Sequence, residues 1–446
     1  MRVHLNAVSV AVVVVVVVAF GAAGQAHAQP APLRLTLDEV LAKAVEASHR
    51  LGEARARQAA AEATVVVRSK ADRPSATASA GYTRTNHVDE FGVPQPNGSL
   101  RVIYPDIPNN YRTRLELVWP VYTGGRADAL ERAAQAEATA TGADLAAVQL
   151  DLRLEVARAY WALVTAEETV RVLDAALVSA DRSLADVRTR VEAGFLPPND
   201  VSRSEAQRAR QELLLIEAKG RVQAVAVDLS RLMGLTEPVA IAPVDRLESA
   251  APVSADTATL VTEALGQRPE LTALSLRADA VDARLTSIAA TRKPTVAFAS
   301  GYDVANPNPR IFPRKDAWQD SFDISLNVSW NVWDSGRGAA ERTEAQASAV
   351  VLRERKADSE AQIRGDVQKQ LVELASSRAA LAPAGLAVTA AEETRRVVND
   401  RYEAGVATTL DVLDAQLAVL QAALDRTRVL ADIRLSEARL ARILGR

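Results

Sequence analysis

SFDISLNVSWNVW, Ser321 to Trp333, alternates without a break. Phe322, Ile324, Leu326, Val328, Trp330 and Val332 fall on one side; Asp323, Ser325, Asn327, Ser329 and Asn331 fall on the other. A period of two with one apolar and one polar face describes a strand with one side buried and one side wet. In SATASAGYTR, Ser75 to Arg84, Ala76, Ala78, Ala80 and Tyr82 oppose Ser75, Thr77, Ser79 and Thr83. Leu115, Leu117, Trp119 and Val121 likewise oppose Arg114 and Glu116. The aromatic residues indicate what buries the apolar side. After residue 28 there are 17 Phe, Trp and Tyr, and 13 of them lie in Ser75–Tyr122 or Thr295–Trp333. Apolar-out, polar-in strands with clustered aromatics mark a transmembrane β-barrel, in which each strand needs about 9 to 11 residues. Tyr82, Trp119, Tyr122, Tyr302, Trp330 and Trp333 are the predicted membrane girdle. The plainer reading, a soluble β-sandwich, would have only four strands and would leave the aromatic clustering unexplained.

The decisive stretch has a counterpart. LELVWPVYTGGR, Leu115 to Arg126, matches LNVSWNVWDSGR, Leu326 to Arg337, at an offset of 211. The same offset carries RVEAG at Arg190 to RYEAG at Arg401, Asp200 to Asp411 and Gly234 to Gly445. Upstream, Pro74 pairs with Pro294, and Gly81-Tyr82 with Gly301-Tyr302, at an offset of 220. The chain therefore holds two copies of one unit, with nine extra residues in the first copy between Tyr82 and Leu115. Each unit reads helix–strand–strand–helix–helix. A helical stretch (Leu37 to Arg68; Thr257 to Arg292) ends before Pro74 or Pro294. Two strands follow, about 75–84 and 113–122 in the first copy and about 295–304 and 321–333 in the second. They are joined by Pro- and Asn-rich loops. Long helices are predicted at about 126–193 and 199–233, then at about 337–404, with the pattern interrupted at Pro383, and about 408–444. Leu145, Leu152, Ala159, Ala166 and Leu173 recur every seven residues, as do Val156, Leu163, Val170 and Leu177. That repeat implies supercoiled helix packing.

The N-terminus carries Arg2, an apolar run from Ala7 to Phe20 and Ala26-His27-Ala28 before Gln29. This reads as a secretory signal peptide, residues 1–28, rather than a membrane anchor, because the run is shorter than a spanning helix requires. No later segment reads as a transmembrane helix. The domain plan is then 29–234 for the first repeat, 235–256 for a linker expected to cross the outside of the helical layer, and 257–446 for the second repeat. The 446 residues include no cysteine, so there is no disulfide, thiolate metal site, cysteine nucleophile or lipid anchor on cysteine. Charged residues are 24% and nearly balanced in sign, which gives no basic stripe for nucleic acid.

Four strands cannot close a barrel in lipid. Open edges are forbidden there, because each unpaired N–H or C=O costs several kcal/mol. Several chains must share one barrel, and cyclic symmetry is the natural solution; three chains supply twelve strands.

These features resemble the TolC family of outer membrane factors over about Leu35 to Gly445. The likeness rests on the doubled unit, Pro74 and Pro294, QRPEL at Gln267 to Leu271, the Gly-Arg starts at Gly125-Arg126 and Gly336-Arg337, the R-x-E-A-G turns and the closing LMGL and ILGR. The resemblance implies a homotrimer in the outer membrane: a twelve-stranded barrel continued by a long α-helical coiled-coil tunnel across the periplasm. It implies a passive exit duct for a tripartite efflux or type I secretion system. Its partners would be a periplasmic adaptor protein, an inner-membrane transporter of RND or ABC type, and outer-membrane lipid. No cofactor or metal is expected.

Gly194 and Gly405 end the long helices, at turns that the resemblance places at the periplasmic tip. It also puts acids at the start of the last long helix in the narrowest part of the duct, and LDVLDAQ sets Asp411 and Asp414 on those positions. The bland account of first-turn acids is the helix dipole, worth about 0.3 to 1 kcal/mol. It suffices for Asp200. It is less satisfying for Asp411 and Asp414, two carboxylates on one face of an apolar helix. By resemblance, Tyr402 and Asp200 match one inter-helix link of the closed tip, while the expected basic residue falls on Ala407.

Other classes fit less well. An enzyme would have only His49 and His87 beyond the signal, with no phosphate loop and no metal-spaced cluster. A periplasmic coiled-coil adaptor or a structural protein without its own barrel would carry one helical hairpin, not two, and no girdled strands. A porin would need more strands and less helix.

Overall fold

The computed structural model describes residues 33–235, 239–248 and 256–446. The predicted signal segment and parts of the linker lie outside them. In the first repeat, β1 (Leu33–Leu35) leads to α1 (Leu37–Ala47) and α2 (His49–Ser69). Four strands follow: β2 (Ser75–Arg84), β3 (Phe91–Pro94), β4 (Leu100–Tyr104) and β5 (Asn109–Tyr122). Then come α3 (Arg126–Glu192) and α4 (Asn199–Leu232), with β6 (Ile241–Pro243) in the linker. The second repeat runs α5 (Thr257–Gln267), α6 (Pro269–Ala290), β7 (Thr295–Asn306), β8 (Gln319–Ser329), α7 (Arg337–Glu403) and α8 (Thr409–Ile443).

The main sheet has the order β2-β5-β7-β8, and every pairing in it is antiparallel. Residues paired across the strands share a face. One face carries Tyr82, Tyr111, Leu115, Leu117, Trp119, Tyr302, Phe322, Ile324, Leu326 and Val328, all exposed in the single chain. So large an apolar surface belongs against lipid. The aromatics on it gather at two levels. At one, Tyr82 packs on Tyr111 and Tyr111 on Trp318, with centroids 5.0 and 5.8 Å apart, and Tyr302 donates to Asp320. At the other, Trp119 and Trp330 donate their indole N–H to the carbonyls of Asp72 and Arg292, each two residues before the helix-ending proline. Tyr111 and Trp119 are separated on β5 by roughly 27 Å of strand, or about 20 Å of depth at the usual barrel tilt.

α3 and α7 have 67 residues each, about 100 Å at 1.5 Å per residue. Toward the tip, α4, α3, α8 and α7 lie side by side in that order. Toward the sheet, α2 and α6 take the places of α4 and α8, giving α2, α3, α6 and α7. The two repeats bury matching cores. Val40, Ala44, Leu152, Val156, Leu163, Leu229 and Met233 form one. Their repeat mates Leu260, Ala264, Ile363, Val367, Leu374, Leu440 and Leu444 form the other. The first core also holds Tyr160, whose hydroxyl donates to Asp245 at 2.7 Å and also lies 3.1 Å from the Leu35 carbonyl oxygen, tying the linker to the helices.

Several expectations change. Each short helical stretch is broken once, at Ser48 and at its mate Arg268, both extended and each acting as C-cap of one helix and N-cap of the next. The first outer loop contains the β3–β4 hairpin, turned at Gly98. β8 ends at Ser329 rather than Trp333, because its partner strand begins at Thr295, immediately after Pro294. α7 runs through Pro383. The linker contributes β6, which pairs parallel with β1. α7 also contains a stretch long and apolar enough to cross a membrane, which the sequence reading did not find. α7 is one lateral edge of the helical layer, and Val372 and Leu386 are exposed on it; Leu213 and Ile216 are exposed on α4, the other edge. Leu424, the mate of Leu213, packs inside the layer against the cluster around Leu173. The apolar edges are therefore surfaces for a neighbouring copy.

The repeat sets the register of the unpaired edges. β5 pairs with β7 so that Leu115 faces Tyr302. Their mates are Leu326 on β8 and Tyr82 on β2. Cysteines at 326 and 82 should therefore cross-link between copies, giving covalent trimers on a denaturing gel. Cysteines at 326 and 78, four residues out of register, should not. Equal cross-linking of both pairs would contradict this register.

Candidate functional site

The conduction path has two ends, the helical tip and the sheet's polar face. At the tip each hairpin turns on a glycine. Gly194 and Gly405 have φ of 76° and 75°, a left-handed conformation open to glycine. Phe195 and Val406 then donate their N–H to the carbonyls of Arg190 and Arg401. Beyond the second turn, Thr408 caps α8 with a reciprocal box: the Asp411 N–H donates to Thr408 Oγ1 at 3.3 Å, and the Thr408 N–H to Asp411 Oδ2 at 2.8 Å. That backbone donor holds the Asp411 carboxyl below its usual range. A lowered folded-state value means the cap's stabilisation is present at neutral pH and is lost only as pH falls through that value. Asp414, one turn on, is exposed and has no hydrogen bond or ion pair among the described residues. Of the two acids, Asp411 serves its own helix and Asp414 is free.

The link expected between Tyr402 and Asp200 is not formed. Asp200 is buried and accepts from the Thr409 hydroxyl at 2.8 Å, so the helix dipole alone does not account for it. Tyr402 is buried, its hydroxyl has no partner in hydrogen-bond geometry, and burial pushes its phenol up. Arg190, from the other hairpin, lies over the Tyr402 ring at 4.6 Å and donates to the Tyr402 carbonyl at 3.4 Å. Two contacts thus join the hairpins: Arg190 to Tyr402 and Thr409 to Asp200. Sequence reasoning missed Arg190 and Thr409. Arg190 stood inside the quoted R-x-E-A-G turn, but its partner lies 212 positions away.

At the other end, the sheet's polar face carries a charge network. The buried carboxylate of Asp303 accepts from Arg112 Nε at 2.6 Å and from Arg114. Arg114 also reaches across β7 to Asp323 on β8, at 3.0 Å. It passes directly over Gly301, where a Cβ would stand 2.3 Å from the guanidinium. The loop between β7 and β8 folds back over this face: Asn308, nearly fully buried, donates to Ser321 and to the Gln319 carbonyl, and Arg310 donates to the Phe322 carbonyl at 2.6 Å. The geometry is a membrane sheet with a charged inner face, open at both edges and joined to a 100 Å helical layer.

The family profile described as "Outer membrane efflux protein" matches residues 40–235 and 260–446. The chain belongs to the outer membrane efflux protein family. Among relatives of this efflux protein, the cobalt-zinc-cadmium resistance protein CzcC of Cupriavidus metallidurans is 26% identical over 79% of the chain and 81% of its own length. The pyoverdine export outer membrane protein OpmQ of Pseudomonas aeruginosa is 26% identical over 92% and 83%. Among solved structures, VceC of Vibrio cholerae superposes with a TM-score of 0.74 at 20% identity, covering 92% of this chain and 96% of its own. The open state of the Neisseria gonorrhoeae MtrE channel gives 0.75 at 17%, over 92% and 88%. This efflux protein is thus an outer-membrane exit duct with the fold of these channels, a membrane sheet continued by a long helical layer.

Removing the Thr409 hydroxyl leaves a buried acceptor unmet, at a cost of about 1–3 kcal/mol. Arg190→Ala removes a cation–π contact worth about 0.5–2 kcal/mol. Both changes, Thr409→Val and Arg190→Ala, should speed hydrogen exchange at the Val406 and Ala407 amides. Tyr402→Phe should change it far less, because its hydroxyl makes no direct bond to Asp200. Fast exchange in Tyr402→Phe would restore the Tyr402–Asp200 link.

Proposed function

We propose that the tip is the gate of the duct. Asp411 and Asp414 line its narrowest point, Asp200 and Tyr402 anchor the contacts that hold it shut, and Gly194 and Gly405 are its turns. The observation that carries this reading is the free carboxylate of Asp414 one helical turn beyond the capped Asp411. Three-fold symmetry brings six carboxylates around one axis, and rings of acids select for cations. Tyr82, Trp119, Tyr122, Tyr302, Trp330 and Trp333 are the membrane girdle of the same duct. Trp330 serves from just past the end of its strand, held by its bond to Arg292.

We read the duct as passive and without chemistry of its own. CzcC and OpmQ carry names with unlike cargo, cobalt, zinc and cadmium against pyoverdine. That contrast supports a conduit whose cargo is chosen by the transporter and adaptor upstream. Whether the chain serves efflux or type I secretion follows from which transporter it meets.

Asp411→Asn/Asp414→Asn removes both charges while leaving an acceptor to cap α8. In planar bilayers this variant should assemble as a trimer. It should lose cation selectivity and be blocked less by multivalent cations added from the helical side. Unchanged selectivity and block would reduce both acids to helix-start residues.

A further inference from the structure

Between the sheet's inner face and the folded-back β7–β8 loop lies a cavity of about 370 Å³. Three guanidinium side chains line it, Arg112, Arg114 and Arg314, together with Ser79, Thr83 and Asn110. No carboxylate does. Among the described residues Arg314 has only neutral partners: Tyr104, whose hydroxyl it reaches at 2.8 Å and whose ring it overlies at 5.1 Å, and the Asn110 amide oxygen at 3.2 Å. Its Nε is buried and bonds nothing. Arg112 gives only its Nε to Asp303, leaving both terminal nitrogens as free donors among the described residues. Arg114 is answered by Asp303, Asp323 and Glu116 behind the cavity wall. Arg310 shares Asp323. Four arginines therefore meet three acids here, and the surplus positive charge faces the cavity.

A forked guanidinium pair with nearby hydroxyls matches the planar or tetrahedral oxygens of carboxylate and phosphate. We propose that this cavity is an oxyanion-binding subsite on the inner wall of the barrel. It takes carboxylate or phosphate groups of solutes as they leave the duct. The position follows from the face: Arg112 pairs across the strands with Gly81 and Ala305, and Arg114 with Ser79 and Asp303, opposite the lipid-side row. With three copies, the outer mouth carries three such sites beneath the loops at 307–318. The duct then has two selective points of opposite sign, and anionic cargo meets favourable charge only after passing the tip.

The test is single-channel recording of the full-length trimer with inorganic phosphate added on the loop side. Phosphate should reduce the wild-type current in a saturable way. Arg112→Gln/Arg314→Gln should raise the half-blocking concentration by about tenfold or more. Arg314 also ties two outer loops together, so a second variant leaves every arginine in place. Gly81 faces the cavity, and a Cβ there meets nothing within 4 Å. Gly81→Asp should fit the strand, offer its own carboxylate to the guanidinium groups and weaken phosphate block to a similar extent. Gly81→Asn, of the same size without charge, should weaken it far less. A wild-type channel that ignores phosphate, or equal block in wild type, Gly81→Asp and the arginine variant, would overturn the subsite. The subsite rests on the barrel reading, and the same traces separate the two. A preparation that forms no channels contradicts the duct, whereas channels indifferent to phosphate contradict only the subsite.

Discussion

Unpaired strand edges in lipid organise this molecule. β2 and β8 each present a row of N–H and C=O groups with nothing among the described residues to meet them. In water such an edge is a hazard of aggregation; in hydrocarbon it costs several kcal/mol per group. Four antiparallel strands place β2 and β8 in opposite directions. Successive copies therefore add strands in the same antiparallel sense, and the ring closes without a mismatch. The aromatic levels, the outward apolar rows and the folded-in loop all presuppose that closure.

The internal repeat extends the same logic down the helices. By the repeat, each contact between the two halves of one chain predicts a mate between one chain and the next. Leu424 packs inside the layer, and Leu213 waits at its edge. Where the mates differ, function separates from scaffold. Thr408 and Asp411 form a capping box at α8, whereas α4 starts from Pro198 with no side-chain cap. Asp200 is thereby free to serve as a buried anchor for Thr409. Similarly, Arg114 needs Gly301 to cross β7, and its mate Ser325 has no such reach.

Much of the fold could be read in the chain because alternation and the 211-residue offset are long-range regularities that survive any one exception. What could not be read has local physical causes. The pivots at Ser48 and Arg268 interrupt a helix for one residue, and the apolar pattern resumes on both sides. The β3–β4 hairpin hides in a segment whose prolines and Gly98 read as loop. β8 alternates to Trp333 because lipid faces those residues, yet the hydrogen-bond ladder stops where β7 begins. At the tip, Thr409 bonds Asp200 and Arg190 covers Tyr402, in place of a direct bond between Tyr402 and Asp200. Those pairs lie about two hundred residues apart and leave no periodic trace. The arginines of the inner face were visible only as polar alternates; their surplus of charge emerges when the loop closes over them.

With both edges unpaired, three chains must share one barrel. Native mass measurement of the purified protein in detergent tests it most directly. A complex of three copies that holds together only with detergent or lipid is the predicted result. A stable monomer, soluble without detergent, would show that β2 and β8 need no neighbour and that no shared barrel forms.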